Sequence, residues 1–152
     1  VAGGRKTVAT NRRARHDYEI IDTYECGLVL HGSEVKSLRD SQVEIKDAYG
    51  DIRDGEVWLE NMHIAPYKFA WAGGHDPERT RKLLLHRREI DRLIGKVNEA
   101  GLTLIPLAVY FKDGRAKVEL GLARGRRTYD KRQRIRERME KREMDRAARR
   151  NR

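Results

Sequence analysis

The 152-residue sequence predicts a mainly β fold with flanking helices, an antiparallel body followed by a basic C-terminal arm. Three observations carry this. Two dipeptides, Asp54-Gly55 and Asp113-Gly114, each separate two strand-like runs, and Asp-Gly supplies the positive φ values of a type I′ hairpin turn. Between them Ile90, Leu93, Ile94, Val97 and Ala100 fall at helical spacing, and Gly101 follows as a helix-terminating residue. The charge is also segregated. Residues 123–152 hold fourteen Lys or Arg against five Asp or Glu, which is +9 of the chain's formal +10.

Residues 1–15 combine Gly3 and Gly4 with five basic side chains and almost nothing to bury, so they read as a flexible basic N-terminus. From His16 to Leu30 the chain is rich in Tyr, Ile, Val and Leu, and Cys26-Gly27 interrupts it. That reads as two strands joined by a tight turn or bulge. A short helix follows, with Ser33 as N-cap, Glu34 in the first turn, and Val35 and Leu38 on one apolar side. Tyr49 to Arg53 and Glu56 to Leu59 flank the first Asp-Gly turn. The stretch 72–82 is turn-like, with Gly73-Gly74 and Asp76-Pro77. Around the second Asp-Gly turn Ile105, Leu107, Val109 and Phe111 alternate on one strand, and Val118, Leu120 and Leu122 on the other, with Lys117 and Glu119 facing out. Pro106 marks an edge or a bulge. Five or six short antiparallel strands with an inserted helix suit an OB-fold-like β-barrel; the pattern equally fits an α+β sandwich.

The arm has no Gly or Pro after Gly125, and Glu137–Lys141 and Asp145–Arg149 are favourable helical pairs. Its apolar residues Ile135, Met139 and Met144 are too few to dock it on a core, so it is expected to be disordered alone and helical when bound to a polyanion. Arg outnumbers Lys twelve to two in it, and Arg presents a planar fork of donors suited to phosphate and base edges. The preceding 122 residues are nearly neutral, with twenty basic and nineteen acidic residues. A neutral body that delivers a cationic segment points to nucleic acid, set against a merely solubilising tail; a membrane-surface helix would need a Trp/Phe/Leu face that is missing. Tyr129 lies in the arm beyond the last strand, where base stacking is the functional reading. The second basic cluster, Arg79, Arg81, Lys82, Arg87 and Arg88 around Leu83-Leu84-Leu85-His86, is either a phosphate-contacting rim or a core strand flanked by exposed charge.

The longest uncharged run, residues 100–111, is twelve residues, short of the ~20 a membrane-spanning helix needs. The N-terminus lacks the apolar run of a secretory signal, and the single Cys26 allows no internal disulfide; both lead to an expected cytoplasmic location. The five histidines show no metal-ligand spacing, and nucleophile and phosphate-loop motifs are absent. No catalytic residue, metal or cofactor is expected. The enzyme alternative is a Mg²⁺-dependent nuclease with carboxylates assembled in space; a structural ribosomal protein is a further reading.

Seven segments in order, Asn11 to His16, Gly32 to Arg39, Asp54 to Glu56, Arg81 to His86, Gly101 to Pro106, Lys117 to Gly125 and Tyr129 to Arg132, resemble the small protein B family, the SsrA-binding (tmRNA-binding) proteins of trans-translation. The resemblance spans about residues 11–132. It implies an OB-fold barrel over 16–123 and a tail over 124–152. The barrel would hold the tRNA-like domain of tmRNA, and the tail would occupy the decoding centre and empty mRNA channel of stalled ribosomes, against small-subunit rRNA. Elongation factor Tu would join indirectly through delivery of alanyl-tmRNA, and the chain would act as a monomer off the membrane. Carried over by motif, the tmRNA-facing candidates are Asn11, Arg15, His16, Glu25, Lys36, Arg39, Leu85 and Lys117. The ribosome-facing candidates are Gly125, Tyr129, Asp130, Lys131, Arg132 and Arg136. Where relatives often carry His, Tyr129 stacks as well but cannot become cationic. Glu25 would accept from a base amino group or hold a basic neighbour, and Leu85 would stack under a base or pack the core.

Overall fold

The computed structural model describes residues 4–67, 75–125 and 138–148. Its elements run β1 (Arg5–Thr10), α1 (Ala14–Asp17), β2 (Tyr18–Leu28), α2 (Gly32–Arg39), β3 (Val43–Glu44), β4 (Tyr49–Arg53), β5 (Glu56–Glu60), β6 (His63–Ile64), β7 (Arg81–Leu84), α3 (Arg87–Ala100), β8 (Thr103–Lys112) and β9 (Arg115–Gly125). The main sheet is antiparallel in the order β1-β8-β4-β5-β7-β2-β9, and a further β8–β9 pairing closes β8, β4, β5, β7, β2 and β9 into a ring. Closure gives each of these six strands a neighbour on both sides, while β1 lies outside the ring and pairs with β8. The ring joins β4 to β8 at the Gly50–Leu104 rung, where a Cβ on Gly50 would lie 2.7 Å from Leu104 Cβ. The mainly β, barrel-like fold expected from the two hairpins is the observed one, and the α+β sandwich is not.

Both Asp-Gly turns adopt the predicted geometry, with φ of 52° and 72° at Asp54 and Gly55 and of 52° and 75° at Asp113 and Gly114. Helix α3 is also as read: Ile90 and Leu93 are buried, and Gly101 ends the helix in the left-handed region at φ 61°.

Four expectations are corrected. The N-terminus is not wholly unstructured: β1 pairs with β8 from Arg5↔Lys112 to Thr10↔Ala108. Backbone pairing, together with Val8 and Ala9 packing on the core, compensates for its polar composition. Cys26-Gly27 does not split two strands. Strand β2 runs unbroken through it, and the irregularity lies between Ile20 and Asp22. The cap of α2 is His31, whose N–H donates to Glu34 Oε1 at 2.8 Å; Ser33 Oγ instead meets His75 Nδ1 at 2.9 Å.

The fourth correction concerns β8, where the alternation is broken by a bulge between Pro106 and Ala108. An extra residue flips the side-chain phase. Leu104, Val109 and Phe111 therefore face the barrel core, while Ile105 and Leu107 face outward into a second small cluster with Ala14 and Ala123. That outer cluster is what seats α1. Gly121 makes room for it, since a Cβ there would lie 3.1 Å from Leu107 Cδ1.

Strand β9 continues through Arg124 and Gly125, so the barrel extends slightly past residue 123. Residues 138–148 are helical and exposed throughout. The helix expected of the arm covers that segment, although an undocked helix of this length is marginal.

Candidate nucleic-acid interface

The outer face of the barrel brings together three side chains from distant parts of the sequence. Register runs Leu84↔Gly27↔Lys117↔Tyr110 across β7, β2, β9 and β8. Gly27 has no side chain to lift its neighbour, and a Cβ there would lie 3.2 Å from Leu84 Cβ. Leu84 therefore lies against bare backbone and is 52% exposed. Two residues back on the same face of β2 stands Glu25, diagonal to Lys117. An open groove of about 400 Å³ adjoins them, lined by Glu25, Lys112, Asp113, Arg115 and Lys117. An apolar spot beside an oriented carboxylate and several cations offers contacts to a base face, a base edge and phosphate.

Glu25 is well partnered. Tyr110 donates its hydroxyl to Glu25 Oε2 at 2.6 Å, and Lys112 Nζ stands 3.5 Å from Oε1. The Tyr110 hydrogen bond is the main cause holding the Glu25 carboxyl below its ordinary range, against a smaller upward push from burial. Burial and this same bond push the Tyr110 hydroxyl above its ordinary range, so it stays protonated and donating. Arg5 lies over the Tyr110 ring, 3.6 Å from its centroid.

Lys36 and Arg39 extend from the exposed side of α2, Lys36 Nζ 5.4 Å from the Tyr67 ring centroid and Arg39 Cζ 4.5 Å from that of Phe111. Their helix is tied down from beneath. Glu34 is fully buried and accepts from Arg81 Nε at 2.5 Å and from Arg79 Nη2 at 2.6 Å. Arg81, also fully buried, donates onward to the carbonyls of Met62 and Pro77 at 2.5 and 3.0 Å. Arg81 is therefore no part of a phosphate-contacting rim. Of its cluster, Arg87 bonds the Gly55 carbonyl at 2.8 Å and Glu56 at 3.0 Å.

The N-terminal candidates occupy another region. Asn11 is half-buried; its N–H donates to Leu107 O at 2.8 Å and its side-chain amide to Pro106 O at 3.4 Å, so it clasps the β8 bulge. Arg15 and His16 are exposed on α1, with His16 Nδ1 3.0 Å from Asp17 Oδ1. Gly125 pairs with Tyr18, the residue after α1, which roots the tail beside that helix. Tyr129, Asp130, Lys131, Arg132 and Arg136 lie outside the described residues.

Sequence reasoning missed Leu84, Tyr110 and Arg5. Three consecutive leucines give no phase: Leu85 packs against the core, one of its two readings, while Leu84 faces solvent. Tyr110 reads as core, and its ring is buried, but its hydroxyl reaches the surface carboxylate. Cys26 is buried, and desolvation pushes its thiol up to about 12, which makes it a poor nucleophile. Among the described residues no group of three or more His, Cys, Asp or Glu could hold a metal ion, and no helix is long and apolar enough to cross a membrane.

The family described as SmpB protein matches residues 8–150. The chain is 59% identical over 144 residues to an SsrA-binding protein of Acidothermus cellulolyticus, covering 95% of this chain and 91% of the relative. It is 60% identical over 149 residues to the SsrA-binding protein of Thermobifida fusca, covering 98% and 93%. A chain of a solved structure described as "tmRNA-SmpB: a journey to the center of the bacterial ribosome" superposes with a TM-score of 0.65 at 56% identity, covering 77% of this chain and 82% of that one. Barrel, motif order and near-full-length identity agree, and the chain belongs to the SmpB protein family.

Proposed function

We propose that the chain is the RNA-binding adaptor of trans-translation: it binds the tRNA-like domain of tmRNA and brings it to stalled bacterial ribosomes in the cytoplasm. Relatives named as SsrA-binding proteins and a tmRNA-SmpB structure on the ribosome support the reading. The observation that carries it onto this chain is the outer patch of Glu25, Leu84 and Lys117, assembled on a body of nearly neutral charge. Such a body binds one RNA by shape and base contact, while the tail supplies most of the sequence-independent attraction. Lys36 and Arg39 on α2, and Arg15 and His16 on α1, extend the RNA-facing surface. Asn11 holds the bulge that seats α1. Residues Gly125, Tyr129, Asp130, Lys131, Arg132 and Arg136 then lead the tail into the decoding centre and vacant mRNA path, where the Arg-rich remainder lies as a helix. The role is binding and delivery, with no catalytic step.

Co-purification of the tagged chain followed by sequencing of the bound RNA tests the reading; recovery of bulk ribosomal RNA without tmRNA would refute it. Truncation belongs after Gly125, where β9 ends. The truncated chain should keep most of its tmRNA affinity and lose tagging on stalled ribosomes, and equal loss of both would contradict the two-part division. Affinity of the full chain should fall steeply with salt.

A further inference from the structure

Glu25 stands opposite Glu119 in the β2–β9 register, and like charges in direct cross-strand register are unfavourable. The adjoining strands offset this. From β8, the buried Tyr110 ring sends its hydroxyl to Glu25 Oε2 at 2.6 Å. From β1, Arg5 covers the Tyr110 ring and places Nη2 3.2 Å from Glu119 Oε2. The other charged groups facing Glu25 are Lys112 on β8 and Lys117 on β9, with Asp113 and Arg115 lining the same groove. A cation over a phenol ring draws electron density from it and makes its O–H a better donor.

Donation from Tyr110 fixes Oε2. The other oxygen has Lys112 at 3.5 Å, between side chains that are both more than two-fifths exposed, so this contact is a loose one. Oε1 is thus an oriented, ionised acceptor at the mouth of the groove. A carboxylate accepts and cannot donate, and the donors on unpaired RNA bases are amino and imino groups on their edges. We propose that Tyr110, backed by Arg5, is a positioning residue that fixes Glu25 as the acceptor for an exocyclic amino group of an unpaired RNA base. This rests on the RNA-binding reading above, and it favours base recognition by Glu25 over the holding of a basic neighbour.

Binding of a transcript of the tRNA-like domain of tmRNA to the full chain, followed by fluorescence anisotropy, tests it with Tyr110→Phe, Glu25→Gln and the double variant. Phe keeps the buried ring, and an unchanged melting profile reports the intact fold. Tyr110→Phe should weaken binding about tenfold, as expected for a hydrogen bond to a charged group. The double variant should bind like Glu25→Gln alone. As pH falls toward the ordinary carboxylate value of 4.5, Tyr110→Phe should also lose affinity at a higher pH than the wild type, because the carboxyl is no longer held low. In the free proteins, carbon-detected NMR titration of Glu25 should show its midpoint raised by Tyr110→Phe. Wild-type affinity in Tyr110→Phe, additive losses in the double variant, or an unmoved Glu25 titration would each overturn the proposal while leaving the adaptor reading intact. Failure of the wild-type chain to bind the transcript would instead overturn the adaptor reading and the proposal together.

Discussion

Removing the Glu34 carboxylate should unfold this protein more readily than any surface change. Glu34 and Arg81 are both fully inaccessible to solvent. Their contact ties α2 to β7, and Arg81 extends it to the carbonyls of Met62 and Pro77. Glu34→Ala leaves the guanidinium buried with no counter-charge, a change that costs about 3–5 kcal/mol. Against the ~5–15 kcal/mol that holds a domain folded, that is a large share. With a urea slope of about 2 kcal/mol per molar, the midpoint should drop by about 2 M. Glu34→Leu with Arg81→Met should recover part of the loss, because no buried charge remains; recovery stays incomplete while the Met62 and Pro77 carbonyls lack a donor. Acid gives an independent readout. Burial pushes the Glu34 carboxyl up, but bonds from Arg79, the His31 amide and Arg81 outweigh it and hold the carboxyl below its ordinary value of 4.5. A folded-state value depressed in this way contributes stability fully above the unfolded value, and that stability is lost as pH falls through the folded one. The wild type should therefore lose stability below about pH 4.5, and Glu34→Ala should lack that part of the acid response. A midpoint shift under about 0.5 M for Glu34→Ala would refute the argument, since it would mean that water reaches Arg81.

Three further outcomes follow from the same geometry. Gly50→Ala should cost about 1–3 kcal/mol in chemical denaturation, because its new Cβ meets Leu104 Cβ at 2.7 Å on the rung that closes the ring. Leu84→Ala should leave stability within about 0.5 kcal/mol and weaken tmRNA binding about fivefold, whereas Leu85→Ala should cost about 2 kcal/mol of stability; the reverse pattern in melting and anisotropy would show that the exposed leucine has been misassigned. Arg15→Ala and Lys117→Ala lie at opposite ends of the β2–β9 ladder, so their losses in binding free energy should add within about 0.5 kcal/mol, and strong non-additivity would argue against two separate contact regions.

The sequence was most legible where local chemistry decides conformation. Asp-Gly turns, the apolar stripe of α3 and Gly101 are each set by a few adjacent residues, and the structure follows them. It was least legible where a distant strand decides. Pro106 marked the bulge of β8, but nothing local says which face Leu107 takes after it; the second face of β8 acquires meaning only once α1 sits on it. Strand β1 is polar enough to look unstructured, yet an edge of β8 about a hundred residues later supplies its partners. Arg81 looked like one of several surface cations, and only the approach of Glu34 from α2 makes its burial tolerable. The candidate site divides the same way. Glu25 and Lys117 were candidates that the family resemblance supplied, but their neighbours Leu84, Tyr110 and Arg5 come from three other strands and carry no shared sequence signal.

That division also explains how one small barrel can serve two RNAs. On the β2–β9 ladder, Gly27↔Lys117 lies at one end and Tyr18↔Gly125 at the other, roughly 26–30 Å apart at the usual strand rise. The Glu25–Leu84–Lys117 patch occupies the first end. The second end joins α1, with Arg15 and His16, to the root of the tail. Because β2 and β9 are paired along almost the whole interval, the two ends are held at fixed separation by a ladder that also forms part of the barrel wall. An RNA gripped at the first end is thereby placed at a set distance from whatever the tail engages. Rigidity between the ends suits the proposed adaptor, in which one RNA is held at the first end while the tail that follows Gly125 engages another.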